Sequence, residues 1–261
     1  MQNKIQIAHS FNRAAKSYNQ VNFLQREVGN RLFQWTDDFA DTSIKIADLG
    51  CGTGIITAKL AQAFPQARLL GIDIADSMIQ YAQNSFAEEK NLNFITADAD
   101  NLPFENNSFD IIFSNLMLQW SLNLKNTFAE LRRVLKPQGS LIFSTLGPGS
   151  LNELRSAWAK VDGYQHVSSF VSKNQLIDDI MSAQFKILKF EEVYHYRSFD
   201  TALDLMQELK KLGANNLNVE RHKGFFSKKK FEQLQMFYDI YRDKNNKLPA
   251  TFEIYYLYAI K

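Results

Sequence analysis

The stretch Asp48-Leu49-Gly50-Cys51-Gly52-Thr53-Gly54 decides the fold. It follows an apolar run at residues 44–49 and precedes a helical pattern at residues 54–63. Glycines at alternate positions let the chain turn tightly and let its backbone approach a ligand, because no Cβ stands in the way. The helix that follows offers unpaired N–H groups at its start.

Working outward from this turn, residues 68–74, 92–96, 110–114 and 140–146 read as strands, with helices at 77–87 and 124–135 between them. Such βα alternation predicts a parallel sheet covered on both faces. Lys136-Pro137-Gln138-Gly139 stops one helix and turns into the next strand, and Asp76 is expected to cap another helix. Before the core, residues 9–35 read as helical, with Phe11, Ala14, Ala15 and Tyr18 on one face. After it, helices are expected at 152–161, 201–212 and 228–241, and strands at 185–193 and 252–260. The expected fold class is therefore α/β, a doubly wound, Rossmann-like sheet in a single domain over 1–261. It carries a helical N-terminal arm within 1–40 and a helical insertion at 199–247 that forms a lid.

With 45% hydrophobic and 22% charged residues, the 261-residue chain has the balance of a globular protein with a sizeable core. Its first residues lack the apolar run of a secretory signal, and no stretch is long and apolar enough to span a bilayer, so a cytoplasmic location is expected. Cys51 is the only cysteine, which excludes an intrachain disulfide and a cysteine-rich metal site. The net charge of +2 gives no global pull toward nucleic acid or membrane. Residues 210–230 are different: Lys210, Lys211, Arg221, Lys223, Lys228, Lys229 and Lys230 face a single acid, Glu220.

Two acids extend the glycine turn into a constellation. Asp73 ends the second strand, where a carboxylate accepts from ribose hydroxyls in doubly wound folds, and Asp98 follows the third. A dinucleotide fingerprint would want its third glycine at the position of Ile55. Here the spacing is Gly-x-Gly-x-Gly, and Asp48 would repel a pyrophosphate while suiting a cationic, phosphate-free ligand. S-adenosylmethionine, with its sulfonium and ammonium groups, is such a ligand.

On these residues the segment 44–146 resembles the core of class I methyltransferases. Asp48 to Gly54 is similar to their first motif, Asp73 to the ribose-binding acid, Asp98 with Ala99 to the adenine-side motif, and Ser114-Asn115-Leu116 to the strand end beneath the methyl group. The resemblance implies seven strands with the last antiparallel. It also implies a cofactor set of Arg13, Asp48, Gly50, Cys51, Gly52, Gly54, Asp73, Ile74, Met78, Asp98, Ala99, Asn115 and Leu116, with Arg13 meeting the cofactor carboxylate.

Further stretches resemble the malonyl-acyl-carrier-protein O-methyltransferase family of biotin synthesis. They are Phe11 to Tyr18 (FNRAAKSY), Ser114 to Trp120 (SNLMLQW), Phe143 to Leu151 (FSTLGPGSL) and Leu209 to Asn215 (LKKLGAN). Gln119-Trp120 and the run from Lys210 to Ala214 are the most discriminating of them. The likeness implies an acceptor pocket lined by Tyr18, Gln119 and Trp120, with Lys210 on the malonyl carboxylate or a carrier phosphate. It also implies an acidic carrier protein steered by residues 210–230.

A malonyl carboxylate is already ionised at neutral pH, since carboxyl pKa values lie near ~4. No general base is needed, which agrees with the lack of a Ser-His-Asp arrangement or metal-ligand spacing in the sequence. His9, His166, His195 and His222 stand beside no motif and read as ordinary histidines. Cys51 reads as a small packing residue, because methyl transfer needs no protein nucleophile. Another small acid or a quinone precursor as acceptor, and a binding module that holds S-adenosylmethionine without turnover, stay open.

Overall fold

In the computed structural model, which describes residues 4–37, 39, 43–214 and 228–261, the chain forms a seven-stranded sheet between layers of helices. The elements run α1 (Lys4–Tyr18), α2 (Phe23–Phe33), β1 (Lys45–Leu49), α3 (Ile55–Ala63), β2 (Arg68–Asp73), α4 (Asp76–Ser85), β3 (Leu92–Thr96), β4 (Phe109–Asn115), α5 (Leu124–Val134) and β5 (Leu135–Leu146). They continue with α6 (Asn152–Ala159), α7 (Lys173–Ser182), β6 (Lys186–Phe199), α8 (Ala202–Lys211), α9 (Lys228–Asp239) and β7 (Leu248–Ile260).

The strand order is β3-β2-β1-β4-β5-β7-β6, with β1 to β5 parallel and β7 antiparallel to both of its neighbours. The expected doubly wound sheet is thus present. The order reverses between β1 and β4, so a crevice opens beyond their carboxyl ends. Alternation along the strands feeds two cores. Ile46, Phe113, Ile142 and Tyr256 pack on one face, while Leu49, Ile112, Phe143 and Tyr255 pack on the other.

Several expectations need correction. Asp76 does not cap α4: the cap position is Ala75, which has no polar side chain, and Asn12 of α1 supplies the acceptor instead. α7 has no counterpart in the sequence reading, although Ser172 caps it by accepting from Gln175 N, and Leu176 and Ile180 share its buried face. β6 and β7 are longer than expected because they pair with each other along their whole length, from Lys186↔Ile260 to Phe199↔Leu248. Partner pairing can extend a strand through residues whose own pattern is mixed. α8 and α9 both lie between these two strands. No described helix is long and apolar enough to cross a membrane.

Candidate functional site

The glycine turn joins β1 to α3 at the carboxyl edge of the sheet. Gly50 has φ +74, and a Cβ there would overlap the Met117 side chain. Gly52 has φ +54 and lies under the Tyr18 ring, 3.7 Å from where its Cβ would be. Four N–H groups of the turn are already spent. Gly50 and Cys51 donate to Ile72 O, Gly52 donates to Asp73 Oδ2 at 2.9 Å, and Gly54 donates to Cys51 O. A turn so satisfied is a poor cradle for a pyrophosphate, which would need those donors.

Asp48 is buried at the end of β1 and accepts from Thr57 Oγ1 at 2.6 Å. Burial lifts its carboxyl to about 7, the Thr57 bond opposes this, and the nearby Asp73 adds to it. Asp73 accepts from Ala75 N and Gly52 N, each at 2.9 Å. Burial raises its pKa, and the backbone donors of Ala75, Gly52 and Ile74 hold the shift back. Each oxygen keeps a lone pair for a further donor.

A cleft open to solvent lies here. Asp73, Ile74, Met78, Asp98, Ala99, Gly50, Gly52, Asn115 and Leu116 all line it. Its roof is the arm. Ala14 and Ala15 of α1 pack on Ala75 and Met78, with Phe11 and Tyr18 beside them. Burial, with Asp73 and Cys51 nearby, raises the Tyr18 pKa, so its hydroxyl stays a donor at neutral pH.

A second cleft, of about 1010 Å³, adjoins the first. Phe11, Tyr18, Leu116 and Trp120 line both, and Phe11 meets Trp120 edge to face at 5.3 Å between centroids. Leu116 leaves β4 at φ +50, a conformation that costs a non-glycine residue roughly 1–3 kcal/mol and that places it at the junction. Gln119 is fixed in the wall: Nε2 donates to Leu116 O at 2.5 Å, and Oε1 accepts from Thr145 Oγ1 at 3.3 Å. α8 closes the far side through Glu208, Leu209 and Leu212. It is tied to the arm, since Ser10 Oγ donates to Gly213 O and Ser17 Oγ to Lys211 O.

The structure does not bring every expected residue to these clefts. Arg13 and Lys210 are exposed and line neither. The helix period explains Arg13, which precedes the buried pair Ala14 and Ala15 and so points outward. Gly54 packs under Phe94 and Ala82 at the start of α3, away from both clefts. Asp48 and Cys51 line a third, smaller pocket of about 390 Å³ behind the turn, with Asn22, Gln25 and Arg26 of the α2 region. The Cys51 thiol is pushed up by burial and by two nearby acids, which argues against a nucleophilic thiolate. Of residues 210–230, numbers 215–227, with Arg221, Lys223, Glu220 and His222, lie outside the described residues, as does Asn215. Lys230 is engaged with Asp162 at 2.8 Å.

Sequence reasoning missed Lys4. Its ammonium lies 2.5 Å from Asp98 Oδ1 and 2.5 Å from Asp100 Oδ2 across the cleft mouth. Burial lowers the Lys4 pKa, but Asp100 and Asp98 outweigh it and raise the net value. It also missed Gln25 and Arg26; no local motif flags either, because the pocket they line is completed by residues far away in sequence. Among the described residues no cluster of His, Cys, Asp and Glu is suited to hold a metal ion.

Residues 47–143 match the family model described as a methyltransferase domain. The chain is 38% identical over 253 residues to the malonyl-[acyl-carrier protein] O-methyltransferase of Hahella chejuensis, covering 96% of this chain and 88% of that one. It is also 38% identical over 258 residues to the biotin biosynthesis bifunctional protein BioHC of Cellvibrio japonicus, covering 99% of this chain and 50% of that protein. The chain spans about half the length of such bifunctional relatives. In fold it is similar to phosphoethanolamine N-methyltransferase 2 of Haemonchus contortus, solved with S-adenosyl-L-methionine. That match has a TM-score of 0.60 at 18% identity and covers 96% of this chain and 57% of that one.

Proposed function

Since the chain belongs to the malonyl-[acyl-carrier protein] O-methyltransferase family, we propose that it transfers a methyl group from S-adenosylmethionine to the free carboxylate of a malonyl thioester on an acyl carrier protein. The observation that carries this reading is the junction of two clefts at Phe11, Tyr18, Leu116 and Trp120. One cleft is acidic and takes a cationic nucleoside; the other is largely apolar and takes the acceptor.

The residues fit the cofactor. Asp73 would hold the ribose hydroxyls through its remaining lone pairs, and Ile74, Met78, Asp98 and Ala99 would hold the base. The pocket behind the turn would hold the amino-acid tail, with Asp48 available to the ammonium and Arg26, rather than Arg13, available to the carboxylate. The positive φ at Gly50 and the Met117 side chain packed against it shape the turn that lines the cofactor cleft. S-adenosylmethionine supplies the methyl carbon on a sulfonium; transfer to a carboxylate oxygen breaks the C–S bond, leaves the electron pair on sulfur and moves no proton.

The protein's part is alignment and exclusion of water. Tyr18 donates to the acceptor carboxylate, and Trp120 with Gln119 shapes the wall against which it rests. No described lysine or arginine lines the acceptor cleft, so the attacking oxygen is held by neutral donors and keeps its nucleophilicity. The reaction joins an anion to a cation, and charge is annihilated in the transition state. An apolar pocket favours that step.

α8 forms a lid over the acceptor cleft, and the arm covers the cofactor cleft. Exposed Lys210 and Lys211 on α8 belong to the surface that steers an acidic carrier. The test is incubation with labelled S-adenosylmethionine and malonyl-carrier protein, malonyl-coenzyme A or free dicarboxylic acids, with mass detection of the ester. Ester formed on the carrier-bound malonyl group is the expected result. Binding of the cofactor with no ester on any of them would leave a non-catalytic binding module.

A further inference from the structure

The acceptor cleft holds one charged side chain that the reading above does not use. Glu208 of α8 lines that cleft but not the cofactor cleft, so it faces whatever lies beyond the reacting carboxylate. Its side chain is only 18% exposed. Resting on the acceptor assignment above, we infer that Glu208 selects acceptors with a single carboxylate, admitting a malonyl half-thioester and rejecting free dicarboxylate dianions.

Burying a carboxylate in an apolar wall is costly unless a well-formed partner offsets it. The partner here is poorly formed. Arg197 Nη2 stands 3.7 Å from Glu208 Oε2, beyond a direct hydrogen bond, and Arg197 Nε is buried with no hydrogen-bond partner. A structural ion pair would be expected to close into the bidentate form that guanidinium and carboxylate favour. Glu208 is also the sole acidic side chain among the described residues that line this cleft, and no described lysine or arginine lines it. Burial raises the Glu208 pKa, and Arg197 and Lys211 oppose the rise.

A malonyl thioester and free malonate present the same reacting carboxylate and differ at the far end. In the thioester that end is neutral. In malonate it is a second anion, placed against a buried anion where solvent screens little. The discrimination is thus by repulsion, which rejects a wrong ligand without strengthening the right one.

The test compares wild type and Glu208→Gln on malonyl-carrier protein, monoethyl malonate and malonate. kcat/KM is measured, or competitive inhibition of the carrier reaction where an acid is not methylated. Wild type should favour monoethyl malonate over malonate, and Glu208→Gln should narrow that ratio by about tenfold or more. Glu208→Asp, which keeps the charge, should retain the preference. Should Glu208→Gln fail to fold, the wild-type ratio decides alone: equal handling of the two acids overturns the inference. An unchanged ratio in folded Glu208→Gln, or no gain in methylation of or inhibition by malonate, also overturns it while leaving the acceptor reading intact. Absence of transfer to the malonyl thioester itself would overturn both.

Discussion

Asn12 Oδ1 accepts the backbone N–H of Ser77 at 2.8 Å, so the N-terminal arm caps a helix of the core. α4 begins after Ala75, which offers no side-chain acceptor, and its first turn would otherwise leave that donor unpaired against the arm. The same helix carries Met78 into the cofactor cleft. Arm docking and cleft shape are therefore one event. Asn12→Ala should lower stability by about 1 kcal/mol, the usual cost of a lost cap. It should also weaken binding of S-adenosylhomocysteine by calorimetry. A variant with unchanged denaturation midpoint and affinity would uncouple the arm from the site.

Tyr18→Phe removes one hydroxyl and leaves the ring over Gly52. The ring walls both clefts, whereas the hydroxyl is the donor assigned to the acceptor carboxylate. Turnover should fall by roughly 10- to 100-fold, the range for one charge-assisted hydrogen bond of about 1.5–3 kcal/mol. Cofactor affinity should stay nearly constant. Single-turnover rates and calorimetry separate the two, and an unchanged rate would remove Tyr18 from the catalytic set.

Gly50→Ala tests the turn. The new Cβ would meet the Met117 side chain, and the residue would have to hold φ +74. The expected loss is about 1–3 kcal/mol of stability together with most cofactor binding. Adding Met117→Ala relieves the overlap but leaves the backbone strain, so the double variant should recover only part of the loss. Full recovery would mean that the positive φ costs nothing at this position.

How much of this was readable in the sequence depends on the range of each interaction. The strand Leu92–Thr96 is observed with the bounds expected for it, because five residues bounded by turn signals carry their own pattern. Asp73, Asp98 and the glycine turn could be placed on one crevice because each ends or follows a parallel strand. Lys4 could not be found, since its partners Asp98 and Asp100 are more than ninety residues away in sequence. Arg13 sits within a recognisable stretch of sequence, and only the packing of α1 on α4 reveals that it points away from the cleft. Glu208 lies one position outside the stretch that resembles relatives, and its burial comes entirely from tertiary contacts.

The basic surface predicts salt dependence. Lys210 and Lys211 are exposed in the last turn of α8, and Lys228 at the start of α9 has 91% of its side chain in solvent. If they steer an acidic carrier, KM for malonyl-carrier protein should climb steeply between low and physiological salt. KM for malonyl-pantetheine should change little. Reversing Lys210 and Lys211 to glutamate should reproduce the high-salt KM at low salt, and a KM indifferent to both would deny the steering role.

Asp48 gives a pH signature with a definite sign. Burial pushes its carboxyl up to about 7 in the folded chain, against an ordinary value of 3.8. Between those values the folded state holds a proton that the unfolded state has released. Stability therefore falls as pH rises through that window and levels off above about 7. Binding a sulfonium-ammonium ligand favours the ionised form, so cofactor affinity should rise toward pH 7 and flatten beyond it, with a proton released on binding below that point. Asp48→Asn should flatten both profiles, leaving the smaller slope that the raised pKa of Asp73 contributes. Calorimetry in buffers of different ionisation enthalpy reads the proton directly. Equal heats in all buffers at pH 6 would show that Asp48 does not change its protonation when the ligand arrives, and would overturn this coupling.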